Sequence, residues 1–244
     1  MNCYKRGTEI YWQARHQSLV DAFKSYPGLP GRDQVPLEHT SIRIYDLTSP
    51  ETMSELEGAD GVILSGSTLN VSAMDGEMEE KPALVELEGF IRRARVPLLG
   101  ICFGHQLIGH AFGCTVGEYS PGEKEPAEWG TIGMLRVGPD FDLLRRIPGY
   151  RDGPVDVSVE WKHKEEIKVN DVFERQFLLY ASTSVCKIQA IKHIDKPLYG
   201  LQFHPETRNM TVQRNGKSPR QDGLAILHGF LDIVIDAANS RQGS

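Results

Sequence analysis

What this 244-residue chain lacks narrows its class before any motif is read. Its four cysteines, Cys3, Cys102, Cys114 and Cys186, stand far apart and form no Cys-x-x-Cys pair. Such spacing argues against a zinc ribbon or a disulfide framework and fits a reducing cytoplasm, where a free thiol can carry chemistry. No uninterrupted apolar run is long enough to cross a bilayer, and no apolar stretch follows the charges of residues 1–7. Neither a membrane span nor a secretory signal is therefore expected. Positive charge is not in excess either, since 27 Lys+Arg face 33 Asp+Glu for a net of -6. A protein that grips nucleic-acid phosphates presents a basic face. Here only Arg92-Arg93-Ala94-Arg95 and residues 208–220 gather basic side chains, and both read as solvated surface. The Gly-x-x-x-x-Gly-Lys loop that cradles nucleotide phosphates is missing as well. With no internal repeat and no low-complexity linker, residues 1–244 read as one domain.

What is present is an alternation of short apolar runs and amphipathic stretches, the pattern of a parallel sheet with helices on its faces. Residues 13–26 read as a helix ended by Pro27-Gly28-Leu29-Pro30-Gly31, and Ser41-Ile42-Arg43-Ile44-Tyr45-Asp46 alternates as a strand. A short helix is expected over 50–56 and a longer one over 81–95. Gly61-Val62-Ile63-Leu64-Ser65 and Val96-Pro97-Leu98-Leu99-Gly100-Ile101 read as strands buried on both faces. Between about 114 and 180 the pattern turns β-rich, with strands expected at 131–137, 155–159 and 177–180. Strands at 188–192 and 199–203 and a helix over 223–238 complete the chain. The front is unusual, because open α/β sheets begin with a central strand before the first helix. Only Glu9-Ile10-Tyr11-Trp12 could supply one; otherwise the chain starts just after the place of that strand.

The sharpest chemical signal is Gly100-Ile101-Cys102-Phe103-Gly104 between a strand and a helix, a nucleophile elbow with cysteine at its tip. The tight turn strains the backbone of Cys102 and lifts its thiol to the top of the sheet, and the flanking glycines admit crowding backbone. The helix N-terminus behind it favours the thiolate and leaves the Phe103 N–H free to bind an oxyanion. A thiol nucleophile also needs a base and a group to orient that base. Gly200-Leu201-Gln202-Phe203-His204-Pro205-Glu206 supplies both at the end of another expected parallel strand. Carboxyl ends of parallel strands share one sheet edge, which brings Cys102 and His204 together, with Glu206 able to curl back onto the imidazole. A third strand-to-glycine turn, Ser65-Gly66-Ser67, offers a second backbone donor. His105 and His110 read as packing residues rather than metal ligands, and Cys114 and Cys186 as small buried hydrophobes. The acidic run at 75–80 lacks calcium-loop spacing and reads as a solvated loop or a lid over the turn.

Gly-Val-Ile-Leu-Ser-Gly, Leu-Gly-Ile-Cys-Phe-Gly-His-Gln-Leu-Ile and Tyr-Gly-Leu-Gln-Phe-His-Pro-Glu together resemble the class I (triad) glutamine amidotransferases, from about Gly61 to Phe230. Within that family the chain looks most like the amidotransferase module of GMP synthase. Trp161-Lys162-His163-Lys164-Glu165-Glu166-Ile167 is similar to that module's Ser-His-x-Asp-x-Val segment. The resemblance implies an open, mostly parallel, flavodoxin-like sheet flanked by helices, with a small antiparallel addition. It implies Cys102, His204 and Glu206 as a catalytic triad working through a γ-glutamyl thioester, with oxyanion donors at Phe103 and Ser67. Gly66, Gln106, Lys162, His163 and Lys164 would face the substrate glutamine. No cofactor and no metal are implied; a separate ATP-dependent synthetase would consume the ammonia. Three departures stand out: Gly66-Ser67-Thr68 replaces Gly-Gly-Pro, Lys162 replaces serine, and Glu165 replaces aspartate. A Gly-Ser pair also occurs in plant-type γ-glutamyl peptidases, which use the same triad on larger leaving amines. A non-catalytic regulatory subunit is the third reading, motivated by the unusual front of the chain.

Overall fold

Two apolar runs set the centre of the sheet. Strands β1 (Val62–Leu64) and β2 (Leu98–Ile101) of the computed structural model are buried at every residue, as expected of parallel strands covered on both faces. The structure describes residues 9–29, 37–118, 131–207 and 222–242. The Pro30-Gly31 turn, the basic stretch at 208–220 and Cys3 lie outside them. Before β1 come α1 (Glu9–Lys24) and α2 (Pro50–Glu57). The Ser49 hydroxyl caps α2 by accepting from the Thr52 N–H at 3.2 Å, and Pro50 stands at its first turn. Between β1 and β2 runs α3 (Lys81–Arg93), and the elbow then leads into α4 (Phe103–Ala111).

The remaining elements in chain order are β3 (Val116–Glu118), β4 (Thr131–Val137), β5 (Val155–Trp161), β6 (Glu165–Ile167) and α5 (Asp171–Gln176). They are followed by β7 (Phe177–Ala181), β8 (Ala190–His193), β9 (Leu198–Leu201) and α6 (Asp222–Gln242). The main sheet has the order β1-β2-β9-β8-β7. Its β1, β2 and β9 are mutually parallel, whereas β8 pairs antiparallel with both β9 and the edge strand β7, so β8 alone is reversed. Two small antiparallel pairs, β3–β6 and β4–β5, lie outside it. This is the mostly parallel α/β sheet with an antiparallel addition that the sequence suggests.

Strand side chains alternate between two apolar layers. Leu64 and Leu98 join Leu84, Leu87, Ile91 and Leu107 beneath α3 and α4. Ile63, Leu99 and Ile101 face the other layer with Leu227, Phe230 and the α1 residues Leu19 and Ala22. Helix α6 has the length and apolarity of a membrane span, but ten of its residues, Phe230 and Ile235 among them, are buried in the protein. It is the core helix of the second layer.

Two expectations at the front are corrected. Glu9-Ile10-Tyr11-Trp12 is the first turn of α1, not a strand. The β preference of Ile, Tyr and Trp is weak without a ladder to join, and helix propagation through residue 24 overrides it. Ser41–Asp46 also does not form a strand of the sheet; a 3-10 helix runs over Ile44–Thr48. Its buried positions are Ile44 and Leu47, three residues apart, so the apolar period is that of a 3-10 turn.

Candidate active site

The elbow is built by close backbone approach. A Cβ on Gly100 would lie 2.4 Å from the Gly104 carbonyl oxygen, and one on Gly104 would lie 2.4 Å from the Leu64 carbonyl oxygen. Neither neighbour can yield, so both positions must be glycine for α4 to start directly on β1 and β2. Between them Cys102 is held at φ 51°, a left-handed value that non-glycine residues rarely adopt. Its N–H donates to the Leu201 carbonyl at 2.8 Å, and its carbonyl accepts from the Gln106 N–H at 3.0 Å. The cysteine is thereby fixed at once to β9 and to the first turn of α4.

Register brings the second motif alongside. Gly100 pairs with Gly200 and Ile101 with Leu201, so the chain leaves β2 and β9 at the same edge. His204 is buried there, and its N–H donates to the Glu160 carbonyl at 3.0 Å in an antiparallel bridge to β5. Its Nδ1 lies 2.7 Å from Glu206 Oε1, a distance at which the ring N–H donates to the carboxylate. Its Nε2 lies 3.3 Å from the Lys162 carbonyl oxygen, which is also 3.7 Å from Cys102 Sγ. Burial alone would lower the proton affinity of His204, but the Glu206 carboxylate and the Cys102 sulfur outweigh it and hold the value well above normal. Burial likewise works against ionisation of Glu206, yet His204 and Arg15 keep its carboxyl below its ordinary value. The electrostatics favour an imidazolium held between the Glu206 carboxylate and the Cys102 sulfur, the placement of a base that can activate a thiol.

The other expected residues separate into groups. Phe103 opens α4, where first-turn N–H groups have no helical acceptor. Ser67 follows the buried Ser65 and Gly66, and its hydroxyl accepts from the Leu69 N–H at 3.0 Å. Gln106 is buried, and its amide nitrogen donates to the Glu165 carbonyl at 2.6 Å and to Gln202 Oε1 at 3.2 Å. Only its own amide oxygen is left for a ligand. His163 is buried with Nδ1 3.1 Å from the Glu165 carbonyl, and burial pushes its proton affinity down to about 4, so the ring is neutral with its proton on Nδ1. Lys162 is half-buried beside the thiol, whereas Lys164 is exposed.

Sequence reasoning passes over two participants: Arg15 of α1 reaches Glu206 and Glu160, and Glu160 of β5 bridges to the His204 backbone. Glu165 of β6, noted in the sequence only as a departure, holds the loop after the Ser67 turn. The Glu165 carboxylate accepts from the Val71 N–H at 2.7 Å, from the Ser72 N–H at 3.4 Å and from the Ser72 hydroxyl. Arg15 and Glu160 are remote in sequence from both motifs, and no local pattern marks them. Among the described residues no cluster of three or more metal-ligating side chains occurs. His105 is fully buried, and His110 instead pairs with Glu88.

The sequence model of the glutamine amidotransferase class-I family matches residues 19–219. A glutamine-hydrolyzing GMP synthase subunit of Methanothermobacter thermautotrophicus is 38% identical over 144 residues, 59% of this chain and 64% of that one. Its namesake in Archaeoglobus fulgidus is 30% identical over 192 residues, 78% of this chain and 84% of that one. In fold, the chain is similar to the glutaminase domain of Trypanosoma brucei CTPS solved with bound acivicin. There the TM-score is 0.63 at 14% identity, over 97% of this chain and 94% of that domain.

Proposed function

The chain belongs to the class I glutamine amidotransferases, and we propose that Cys102, His204 and Glu206 are the triad with which it hydrolyses the side-chain amide of glutamine. The observation that carries this reading is the pairing of a strained, positive-φ Cys102 with a His204 held protonated by a buried carboxylate. The Cys102 thiolate attacks the amide carbon, and the tetrahedral oxyanion is received by the backbone N–H groups of Phe103 and Ser67. His204 Nε2 gives its proton to the departing nitrogen, so ammonia leaves and a γ-glutamyl thioester remains. The ring then accepts a proton from water as the hydroxyl attacks the thioester, and glutamate and the thiolate are regenerated. Glu206 keeps the proton on Nδ1 throughout and stabilises the imidazolium before ammonia leaves and again as water attacks.

In this reading Gln106 and the Lys162-His163-Lys164 segment, with Gly66, would face the α-amino and α-carboxylate groups of the substrate, Gln106 through its free Oε1. We read residues 1–244 as one such domain. The relatives named as GMP synthase subunits make an ATP-dependent GMP-forming synthetase the partner of choice. The Gly66-Ser67 pair keeps a γ-glutamyl peptidase as the second reading, because it reshapes the turn that receives the oxyanion. Glutamate release from glutamine is expected in the wild type and lost in Cys102→Ala; retained release in that variant refutes the triad. Faster turnover of γ-glutamyl dipeptides than of glutamine would transfer the assignment to the second reading.

A further inference from the structure

A buried carboxylate that must stay ionised beside a second carboxylate and a nucleophilic sulfur needs more positive charge than one imidazolium supplies. The structure provides it from α1. Arg15 is 14% exposed, and its fork donates in two directions. Nη2 lies 2.8 Å from Glu160 Oε2, while Nη1 lies 2.9 Å from the Thr207 hydroxyl and 3.4 Å from Glu206 Oε1. Thr207 in turn donates to Glu160, which closes a ring of Arg15, Thr207 and Glu160 behind the candidate triad. Glu160 also accepts the His204 N–H through its own carbonyl, so one residue of β5 fixes both the histidine backbone and the arginine.

We propose that Arg15, anchored by Glu160, is a positioning residue that holds Glu206 ionised and in register with His204, so that α1 is part of the machinery rather than only of the core. The inference rests on the triad reading above. The charged groups facing Glu206 are His204 and Arg15; those facing His204 are Glu206, Cys102, Arg15 and the neutral His163. Removing the Arg15 cation leaves Glu160, Glu206 and the Cys102 thiolate around a single imidazolium. The reactive ionisation state then requires a higher pH. Guanidinium geometry matters as much as charge, because only a planar fork spans two carboxylates, whereas an ammonium is a point donor.

The test measures the rate at which an electrophilic chloroketone analogue of glutamine alkylates the full-length protein across pH, in wild type, Arg15→Met, Arg15→Lys and Cys102→Ala. For Arg15→Met the acidic limb of the pH profile is expected to move up by about one unit. That shift is a tenfold loss of labelling rate at a pH on the limb, with the analogue's half-saturating concentration within about twofold of wild type. Arg15→Lys is expected to keep the wild-type limb while the limiting rate falls several-fold, and it decides the matter if Arg15→Met does not fold. A wild-type limb and limiting rate in both folded variants, or a wild-type limiting rate in Arg15→Lys alone, overturns the proposal while the triad stands. Undiminished labelling of Cys102→Ala overturns the triad and the proposal together.

Discussion

Gly104→Ala isolates the contact that seats the elbow. In an ordinary helix this change is favourable by about 1 kcal/mol, because alanine loses less backbone entropy than glycine. At Gly104 the new Cβ would lie 2.4 Å from the Leu64 carbonyl oxygen and 2.6 Å from the Leu64 Cβ. Normal contact needs roughly 3.5 Å, so α4 would have to back away from β1 by about 1 Å. Overpacking of this kind costs about 1–3 kcal/mol, and rigid backbone as the obstacle puts the cost at the upper end. The net expectation is a loss of about 1–2 kcal/mol, or a melting temperature about 3–6 °C lower for a chain of this length. A shift of about 1 Å at a reacting group costs about 100-fold in turnover, so activity should fall further than stability. Gly89→Ala in α3 is the control. Its Cβ would meet only the mobile end of Arg93 at 3.2 Å, so that variant should gain about 0.5–1 kcal/mol. Thermal unfolding and glutamate release measured on both variants give the comparison. A Gly104→Ala protein that is stabilised like Gly89→Ala and turns over normally refutes the argument.

Three further predictions follow from buried polar contacts. Glu165→Ala leaves the N–H groups of Val71 and Ser72 without their acceptor and should cost about 2–3 kcal/mol, whereas Glu165→Gln, which retains an acceptor oxygen, should cost about 1; denaturant unfolding separates them. Asp232 accepts from the Tyr26 hydroxyl at 2.6 Å and from Nη2 and Nε of Arg146 at 2.6 and 2.8 Å. Asp232→Asn should destabilise by about 2–3 kcal/mol and speed amide exchange in the segment that follows α1, where Tyr26 is fastened to α6. The hydrogen bond to Glu88 raises the His110 proton affinity against partial burial, with Glu88 and Asp75 charges adding to it. A raised value means the stabilisation is complete below the ordinary histidine pKa and is lost as pH rises through the folded value. Wild type should therefore exceed His110→Ala by about 0.5–1 kcal/mol near pH 5.5 and by less near pH 9, solvent at the partly exposed His110 screening the pair.

The legible parts of the fold were those in which local pattern and tertiary role coincide. Val62–Leu64 and Leu98–Ile101 are continuous apolar runs because both of their faces are covered, so sequence and burial carry the same message. Cys102 and His204 could be paired in advance because glycine spacing marks the elbow and parallel register carries both strand ends to one edge. The alternation at 41–46 misled because Ile42 and Ile44 are both buried without forming a strand: a 3-10 helix starts at Ile44 and adds Leu47 to the same core. Glu9–Trp12 misled because β-prone side chains decide little without a strand to pair with. Arg15 and Glu160 were invisible for a different reason. Their meaning lies entirely in a contact across 145 residues of chain, and an arginine on an amphipathic helix carries no local mark of it.

The central claim is that Cys102 is the nucleophile and that His204 makes it one. Mapping the alkylated residue after exposure of the folded protein to an electrophilic glutamine analogue tests this most directly. A single adduct on Cys102, slowed at least 100-fold in His204→Asn, is the predicted result. An adduct on Cys114 or Cys186, or labelling of Cys102 at the wild-type rate without His204, would contradict it.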